Sequence, residues 1–140
     1  MDKQIQITPA LYDQIVSIAE AGLPNEVCGI LTGIENKVLD VIQIRNIMAS
    51  PFSYSFDPAE LIHTINKIEE SEEELLAFFH SHPGSPPIPS QTDIRNHHYP
   101  GIPHLILGRE PGQSWAEQAY LLDEGNVVEI PVLIKGGNRN

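Results

Sequence analysis

Apolar residues recur at helical spacing in two stretches of the chain, and each stretch begins with a capping residue followed by proline. Thr8 and Pro9 are a typical helix start and Gly22 a typical stop, so the pattern predicts a first helix from Thr8 to Gly22. Asp57 and Pro58 predict the start of a second helix in the same way. The apolar stripes are Leu11, Ile15, Ile18 and Ala19 in the first helix and Leu61, Ile62, Ile65 and Ile68 in the second.

Runs rich in valine, isoleucine and leucine predict strands. Val27 to Glu35 and Val38 to Ile47 are typical of a hairpin, joined by the turn Glu35-Asn36-Lys37. The continuous apolar run from Leu75 to Phe79 predicts a central strand that is covered on both faces and leads to His80. Three further strands are predicted at His104 to Leu107, Trp115 to Leu122 and Val127 to Ile134. Helices interleaved with strands predict an α/β or α+β domain, with a mixed β-sheet flanked by helices.

Polar and proline-rich segments connect these elements. Met48 to Phe56 is predicted to be a connecting loop, and the acidic run from Glu69 to Glu74 a solvated turn without chemistry. Pro83 to Pro89 is too rich in proline for a helix or an interior strand, so we expect a loop that is ordered by its own stiffness. The segment from Ser90 to Asp93 fits a capping box and predicts a short helix that ends near Tyr99 to Gly101.

Length and charge favour one folded domain and exclude two classes of partner. The chain of 140 residues has the size of a single domain, so we assign residues 1–135 to it and residues 136–140 to a flexible tail. No apolar run reaches the roughly 18 residues of a membrane span, and no segment has the pattern of a signal peptide. Nineteen Asp and Glu against eight Lys and Arg give a net charge of -11, which would repel nucleic acid. We therefore expect neither a membrane nor nucleic acid as partner.

The single cysteine, Cys28, limits both the compartment and the metal chemistry. One thiol forms no internal disulfide, which suits a reducing compartment and predicts a cytoplasmic location. It also excludes zinc sites that are built from several cysteines. Any metal must therefore be held by nitrogen and oxygen atoms.

Four polar residues follow the predicted central strand: His80, His82, Ser90 and Asp93. Side chains two positions apart on a strand point to the same face, so His80 and His82 can place two imidazoles on one centre. A hydrolytic zinc site uses three protein ligands of the histidine and carboxylate type and leaves one position for water. Asp93 can supply the third ligand, because the proline-rich loop returns it to the first turn of a helix. The pattern predicts one metal ion with a bound catalytic water.

Several of these residues also have purely structural interpretations. Ser90 can serve as the helix N-cap, and Asp93 as a first-turn acid that is favoured by the helix dipole. His97 lies one turn after Asp93, where it could complete the coordination sphere and make the metal structural. The other histidines, His63, His98 and His104, are interpreted as structural or solvent-exposed.

A hydrolytic water also needs a base, because attack on an amide requires a proton to leave the water and reach the departing nitrogen. Glutamate is the usual base, and Glu26 differs from the other acids of the chain. It lies between Pro24 and the apolar segment from Val27 to Leu31, where an unpaired carboxylate is costly. Glu26 is therefore the candidate base.

A family resemblance covers most of these residues. The segment from Pro24 to Gly33, together with His80-Ser81-His82-Pro83, Ser90 and Asp93, resembles the JAMM motif of the JAB/MPN-domain metallopeptidases. The stretch from Arg45 to Pro58 resembles the one that this family carries between its second strand and its second helix. The similarity extends over residues 5–130. It implies a cytidine-deaminase-like fold, in which helices flank a mixed sheet.

The resemblance also implies a role for each residue of the motif. His80, His82 and Asp93 would bind one Zn²⁺ ion. Glu26 would act as general base toward the metal-bound water and then as general acid toward the leaving amine. Ser90 would donate a hydrogen bond to the tetrahedral oxyanion, where a preorganised donor matters most. Because every motif position is filled, the resemblance favours an enzyme over the zinc-free scaffold members of the family.

The resemblance further implies a substrate class. The family cleaves peptide or isopeptide bonds just after the C-terminal tail of ubiquitin or ubiquitin-like proteins. Members that act on ubiquitin chains carry insertions, whereas this sequence has only the short segments Met48 to Phe56 and Tyr99 to Pro103 at those places. It therefore resembles the compact stand-alone prokaryotic type, whose substrates are ubiquitin-like or sulfur-carrier proteins, held by an extended tail beside an exposed strand. The resemblance is compatible with a homo-oligomer.

Three other functions share parts of this pattern. A non-catalytic binding or scaffold module would hold a structural metal, with His97 as fourth ligand and no metal-bound water. A triad of two histidines and one carboxylate could also bind non-haem iron. A zinc deaminase shares the expected fold, but it needs a pair of cysteines, and the chain has only Cys28.

Overall fold

A mixed sheet of eight strands forms the centre of the computed structural model, which describes residues 3–95 and 99–135. The order of the strands across the sheet is β7-β6-β5-β4-β2-β3-β1-β8. The strands are β1 (Ile5–Ile7), β2 (Cys28–Ile34), β3 (Lys37–Ile44), β4 (Glu74–His82), β5 (His104–Gly108), β6 (Ala116–Leu121), β7 (Val128–Ile130) and β8 (Val132–Ile134). The helices are α1 (Pro9–Gly22), α2 (Pro58–Glu69) and α3 (Gln91–Arg95), with a 3-10 turn at Asp123–Gly125.

Two helices cover opposite faces of this sheet. Neighbouring residues of a strand point to opposite faces, and the core divides accordingly. Phe79 packs in the cluster that contains Ile15 and Ala19 of α1, whereas Phe78 packs in a second cluster against Leu61 and other residues of α2. The prediction of a mixed α+β architecture with helices flanking the sheet is confirmed.

The predicted helix starts are confirmed by their capping bonds. The side chain of Thr8 accepts a hydrogen bond from the Leu11 N–H, and that of Asp57 accepts bonds from the Ala59 and Glu60 N–H groups. Such caps satisfy N–H groups that have no partner inside the helix. They fix where α1 and α2 begin.

The predicted hairpin is also confirmed. Strands β2 and β3 pair in antiparallel fashion from Cys28 opposite Ile44 to Ile34 opposite Lys37. Glu35 and Asn36 form the turn with φ of 53° and 72°, the left-handed conformation that a tight two-residue hairpin turn needs.

The prediction of one strand from Val127 to Ile134 is wrong. Pro131 divides this segment into β7, which pairs with β6 at one edge of the sheet, and β8, which pairs with β1 near the other edge. Proline has no N–H to donate, so a paired strand ends readily at that residue. The Pro131 carbonyl instead accepts a hydrogen bond from the Ile5 N–H at 3.0 Å. The sequence pattern does not predict β1, because its three residues are too few to establish a period.

The central strand β4 is longer than predicted, which matters for the site. It continues past Phe79 to His82 and pairs with β2 on one side and with β5 on the other, so that His80 lies opposite Cys28 and Ile106. The acidic run before this strand is only partly a solvated turn, because Glu73 accepts a hydrogen bond from the Thr32 hydroxyl at 2.7 Å. The two histidines therefore lie within the sheet.

Parts of two predictions lie outside the described residues. Helix α3 is described from Gln91 to Arg95, residues 96–98 are not described, and Tyr99 is not helical. The proposed flexible tail, residues 136–140, is likewise outside the described part of the chain. None of the helices in the described ranges is long and apolar enough to cross a membrane.

Candidate metal centre

Two histidines and one carboxylate converge at the end of β4. His80 and His82 point to the same face of the strand, and their Nε2 atoms lie 3.2 Å apart. The Oδ2 atom of Asp93 lies 3.1 Å from Nε2 of His80 and 3.3 Å from Nε2 of His82. Residues 83–89, here called the proline loop, lead from β4 to α3 and so bring Asp93 back over the strand. The side chains of all three residues are at most 7% exposed.

The position of Asp93 is fixed by the start of its own helix. The Ser90 Oγ atom accepts a hydrogen bond from the Asp93 N–H at 3.0 Å, and Asp93 Oδ2 accepts one from the Ser90 N–H at 2.9 Å. This reciprocal pair is the predicted capping box. The same carboxylate oxygen that caps α3 thus faces both histidines.

The two histidine rings are oriented in different ways. His82 Nδ1 lies 3.0 Å from the Pro86 carbonyl oxygen, and since a carbonyl only accepts, Nδ1 carries a hydrogen and Nε2 is the nitrogen that faces His80 and Asp93. His80 Nδ1 is buried and has no hydrogen-bond partner among the described residues. Its ring instead stacks on Tyr54, with centroids 4.4 Å apart and planes inclined by 26°.

The carboxylate of Glu26 approaches the histidines from the segment just before β2. One oxygen of Glu26 and one nitrogen of each histidine all lie within 4.8 Å of one another. The backbone of Glu26 is held on both sides, because its N–H donates to the Ser50 carbonyl at 2.9 Å and its carbonyl accepts from Asn46 Nδ2 at 3.0 Å. Its Oε1 atom is buried and has no hydrogen-bond partner within the described ranges.

Burial and hydrogen bonds set the protonation of the cluster. Burial lowers the pKa of His80. Burial by itself would raise the pKa of Asp93, but the hydrogen bonds from His80 and His82 outweigh it and hold that pKa well below its usual value. Burial raises the pKa of Glu26 to about 8, partly offset by the nearby His82. For His82, burial alone would lower the pKa, but the hydrogen bonds to Asp93 and Pro86 outweigh it and raise that pKa. The site therefore combines an ionised Asp93 with a neutral His80, the forms in which these residues bind metals.

The spacing of the three ligand atoms fits a tetrahedral metal. Ligands bonded to one zinc ion at about 2.1 Å in a tetrahedron lie roughly 3.4 Å from one another. The three separations between the ligand atoms, from 3.1 to 3.3 Å, are close to this value. The nitrogen and oxygen donor set is also the one that catalytic zinc sites use. The carboxylate of Glu26, whose Oε1 has no hydrogen-bond partner within the described ranges, lies beside the two histidines.

The structure thus brings together four of the five predicted site residues, His80, His82, Asp93 and Glu26, and places Ser90 beside them through its bond to Asp93. His63 is exposed on α2, and His104 is buried against Phe78, with ring centroids 5.6 Å apart. His97 and His98 lie outside the described residues, so the suggestion that His97 closes the coordination sphere stays a prediction.

Two residues near the centre were not recognised from the sequence pattern as parts of the site. Ser81 lies between the two histidines, and its Oγ accepts a hydrogen bond from the Val27 N–H at 2.9 Å, which ties the residue after Glu26 to β4. Tyr54 stacks on His80. A small polar residue inside an apolar strand was a usable signal for Ser81. For Tyr54 the sequence offers no signal besides the family resemblance of residues 45–58, because its contact with His80 depends on the path of the loop between β3 and α2.

A cavity of about 560 Å³ opens beside the cluster. Asp93 forms part of its wall, and most of the other walls are apolar. The apolar walls come from the loop between β3 and α2, from α2, from β4 and from the segment before β5: Met48, Phe56, Leu61, Phe78 and Tyr99. A substrate segment could enter this cavity and reach the cluster.

A mixed sheet flanked by helices, with histidines and carboxylates converging at one end of its central strand, defines the class of metal-dependent hydrolases of the JAB/MPN type. The sequence agrees. The model of the prokaryotic homologues of the JAB domain matches residues 8–119, and the chain belongs to this family.

Individual relatives cover almost the same length. A desampylase from Pyrococcus furiosus is 36% identical over 130 residues, which is 92% of this chain and 90% of the relative. A probable TtuB-protein conjugate cleaving protease from Thermus thermophilus is 34% identical over 111 residues, 79% of this chain and 70% of the relative. The solution structure of a protein from Desulfitobacterium hafniense has a TM-score of 0.85 at 28% identity and covers 95% of this chain and 94% of its own.

Proposed function

We propose that the protein is a zinc-dependent peptidase or isopeptidase that hydrolyses the amide bond after the C-terminal tail of a ubiquitin-like or sulfur-carrier protein. The observation that carries the proposal is the convergence of His80, His82 and Asp93 within 3.3 Å beside the buried Glu26. The relatives named desampylase and TtuB-protein conjugate cleaving protease support the substrate class.

His80, His82 and Asp93 are the residues that would hold the ion. When bound, zinc supplies a Lewis acid toward the scissile carbonyl and makes water a better nucleophile near neutral pH. The tautomer of His82 is already set for this role, because its Nδ1–H faces the Pro86 carbonyl. The burial of the cluster keeps bulk water from weakening the electrostatic interactions within it.

Glu26 is the proton carrier in this proposal. Its carboxylate accepts a proton from the attacking water and later delivers that proton to the departing nitrogen. The pKa of about 8 in the metal-free protein means that the carboxyl group retains a proton readily in this buried position. A positive charge held by the neighbouring ligands would favour the carboxylate and bring its pKa closer to neutral.

Ser90 is the proposed oxyanion donor. Its Oγ already accepts the Asp93 N–H, so its own hydroxyl hydrogen remains free to donate. A hydrogen bond to the oxygen that becomes negative during attack would stabilise the transition state. Ser90 would therefore serve at once as helix cap and as donor.

The cavity beside Asp93 is the proposed entrance for the substrate tail. Its walls are mainly apolar, and the loop between β3 and α2 forms one side of it. A tail laid along this loop would bring its terminal amide to the histidines. No bulky insertion narrows the described part of this entrance, which suits a small protein substrate.

The wider assignments are part of the same proposal. We assign residues 1–135 to one metallopeptidase domain and propose a cytoplasmic location. The lone Cys28 supports a reducing compartment. The net charge of -11 supports a protein substrate over nucleic acid.

A cleavage assay with metal exchange tests the function. The substrate is a ubiquitin-like protein whose terminal glycine is joined by an amide to a reporter, and the enzyme is first stripped with a chelator. We expect no cleavage by the stripped enzyme and recovery on adding one equivalent of Zn²⁺. Recovery with Fe²⁺ alone, or cleavage that is unaffected by stripping, would refute the zinc proposal.

A further inference from the structure

The proline loop lies directly on the end of β5. Gly108, the last residue of this strand, is buried beneath the loop. A Cβ atom on Gly108 would collide with the Pro87 nitrogen and would lie 2.5 Å from both the Pro86 carbonyl carbon and the Ser85 carbonyl oxygen. These atoms are all backbone, so no side chain can rotate away. Only glycine at this position lets the loop approach the strand so closely.

Tyr120, on the neighbouring strand β6, holds the same loop from the side. Its hydroxyl donates a hydrogen bond to the Pro87 carbonyl at 3.0 Å. Its ring is buried in an apolar cluster with Ile106 of β5, and Ile94 of α3 packs against this cluster. Ile94 directly follows Asp93. Tyr120 therefore holds the proline loop through its hydroxyl and belongs to the cluster against which the helix that carries the aspartate packs.

We propose that Gly108 and Tyr120 form a seat for the proline loop and are positioning residues for the metal centre. The connection runs through the Pro86 carbonyl, which accepts the hydrogen bond from His82 Nδ1 at 3.0 Å. A loop lifted from the strand would move this acceptor and turn His82 Nε2 away from the other ligands. The inference rests on the proposed function in one respect, that His82 is a metal ligand.

Gly84 provides a matched control on the same loop. A Cβ atom at Gly84 has no heavy atom within 4 Å, and its φ lies outside the left-handed region. Alanine at this position therefore changes the composition of the loop without lifting it. Tyr120→Phe provides a milder test of the seat, because it removes one hydrogen bond and keeps the ring in its cluster.

The experiment measures metal binding by the full chain carrying Gly108→Ala, Tyr120→Phe or Gly84→Ala. Zinc affinity is obtained by competition with a chelator, and the coordination geometry from the visible absorption bands of the Co²⁺-substituted protein. We expect Gly108→Ala to weaken zinc binding by about 10- to 100-fold, as loss of a contact that orients a metal ligand usually does. We also expect it to shift the Co²⁺ bands. Tyr120→Phe should weaken binding by roughly 2- to 10-fold, the effect of one hydrogen bond. Gly84→Ala should bind like the wild type.

The proposed seat is wrong if both Gly108→Ala and Tyr120→Phe bind zinc with wild-type affinity and show the wild-type Co²⁺ bands. If Gly108→Ala does not fold, as judged by circular dichroism, Tyr120→Phe decides alone. Weakened zinc binding in these variants supports the seat even if no tail fusion is cleaved by the wild type, in which case only the proposed function fails. Absence of zinc binding by the wild type would overturn both.

Discussion

The ring of Tyr54 stacks on the imidazole of His80, with centroids 4.4 Å apart. Outer nitrogens of metal-binding histidines usually donate to a carbonyl or a carboxylate. His82 follows this rule through Pro86, but His80 Nδ1 has no hydrogen-bond partner in the described part of the chain. The orientation of the His80 ring therefore depends on its position within β4 and on stacking with the ring of Tyr54.

Replacing Tyr54 separates the contribution of its ring from that of its hydroxyl. We expect Tyr54→Leu to weaken zinc binding by roughly 10-fold, because the ring of His80 gains freedom, and Tyr54→Phe to keep wild-type affinity. The affinities are measured by chelator competition. Equal weakening in both variants would contradict the role of the stack and point to the hydroxyl.

The metal-free protein should lose stability as the pH rises through the range in which Glu26 titrates. Burial raises the pKa of Glu26 from 4.5 to about 8, so between these values the folded chain holds a proton that the unfolded chain releases. Stability from this group is therefore complete below pH 4.5 and falls as the pH approaches 8.

Glu26→Gln tests this dependence, because its neutral side chain does not titrate. Melting temperatures of both proteins are measured in a chelator at pH 5 and at pH 8. We expect the variant to gain in Tm relative to the wild type as the pH rises. A difference in Tm that is the same at both pH values would show that Glu26 titrates normally.

Zinc should stabilise the fold through the three ligand side chains. A ligand that binds only the folded state raises its stability, by about 2.7 kcal/mol at a concentration 100 times its Kd. We expect excess zinc to raise the Tm of the wild type and of Glu72→Gln, which alters an exposed acid far from the cluster. Asp93→Asn should lose most of this shift. A full zinc shift in Asp93→Asn would remove Asp93 from the ligand set.

Ser90→Ala should affect the rate more than the stability. Loss of one oxyanion donor lowers kcat by about 10²- to 10³-fold, whereas loss of a helix cap costs about 1 kcal/mol of stability. The matched control is Thr8→Ala, which removes the cap of α1 and leaves the cluster intact. A kcat for Ser90→Ala within a few-fold of the Thr8→Ala value would show that Ser90 is only a cap.

Local patterns were sufficient to predict much of the site. His80 and His82 follow the two-residue period of a strand, and the capping box of Ser90 and Asp93 is a signal within four residues. Glu26 was singled out by its position before an apolar strand. All of these signals depend on neighbours in sequence, and the structure places the residues together as the motif implies.

Contacts between distant segments were not predictable in this way. The division of the last predicted strand at Pro131 depends on which edge of the sheet each half can reach. The role of the glycine at position 108 comes from a loop that begins 25 residues earlier, so its neighbours in sequence do not reveal it. Tyr54 stacks on His80 from a distant loop, and Ser81 accepts a hydrogen bond from Val27, which is 54 residues away in the sequence. Such roles follow from packing, which a local pattern does not encode.

Cleavage by zinc-loaded Glu26→Gln tests the central claim most directly. The variant keeps His80, His82 and Asp93, so we expect it to bind zinc as the wild type does. Without the carboxylate that moves the proton, its cleavage of a ubiquitin-like tail fusion should fall by about 10²- to 10⁴-fold. Cleavage at the wild-type rate by a variant with the same zinc content would contradict the mechanism.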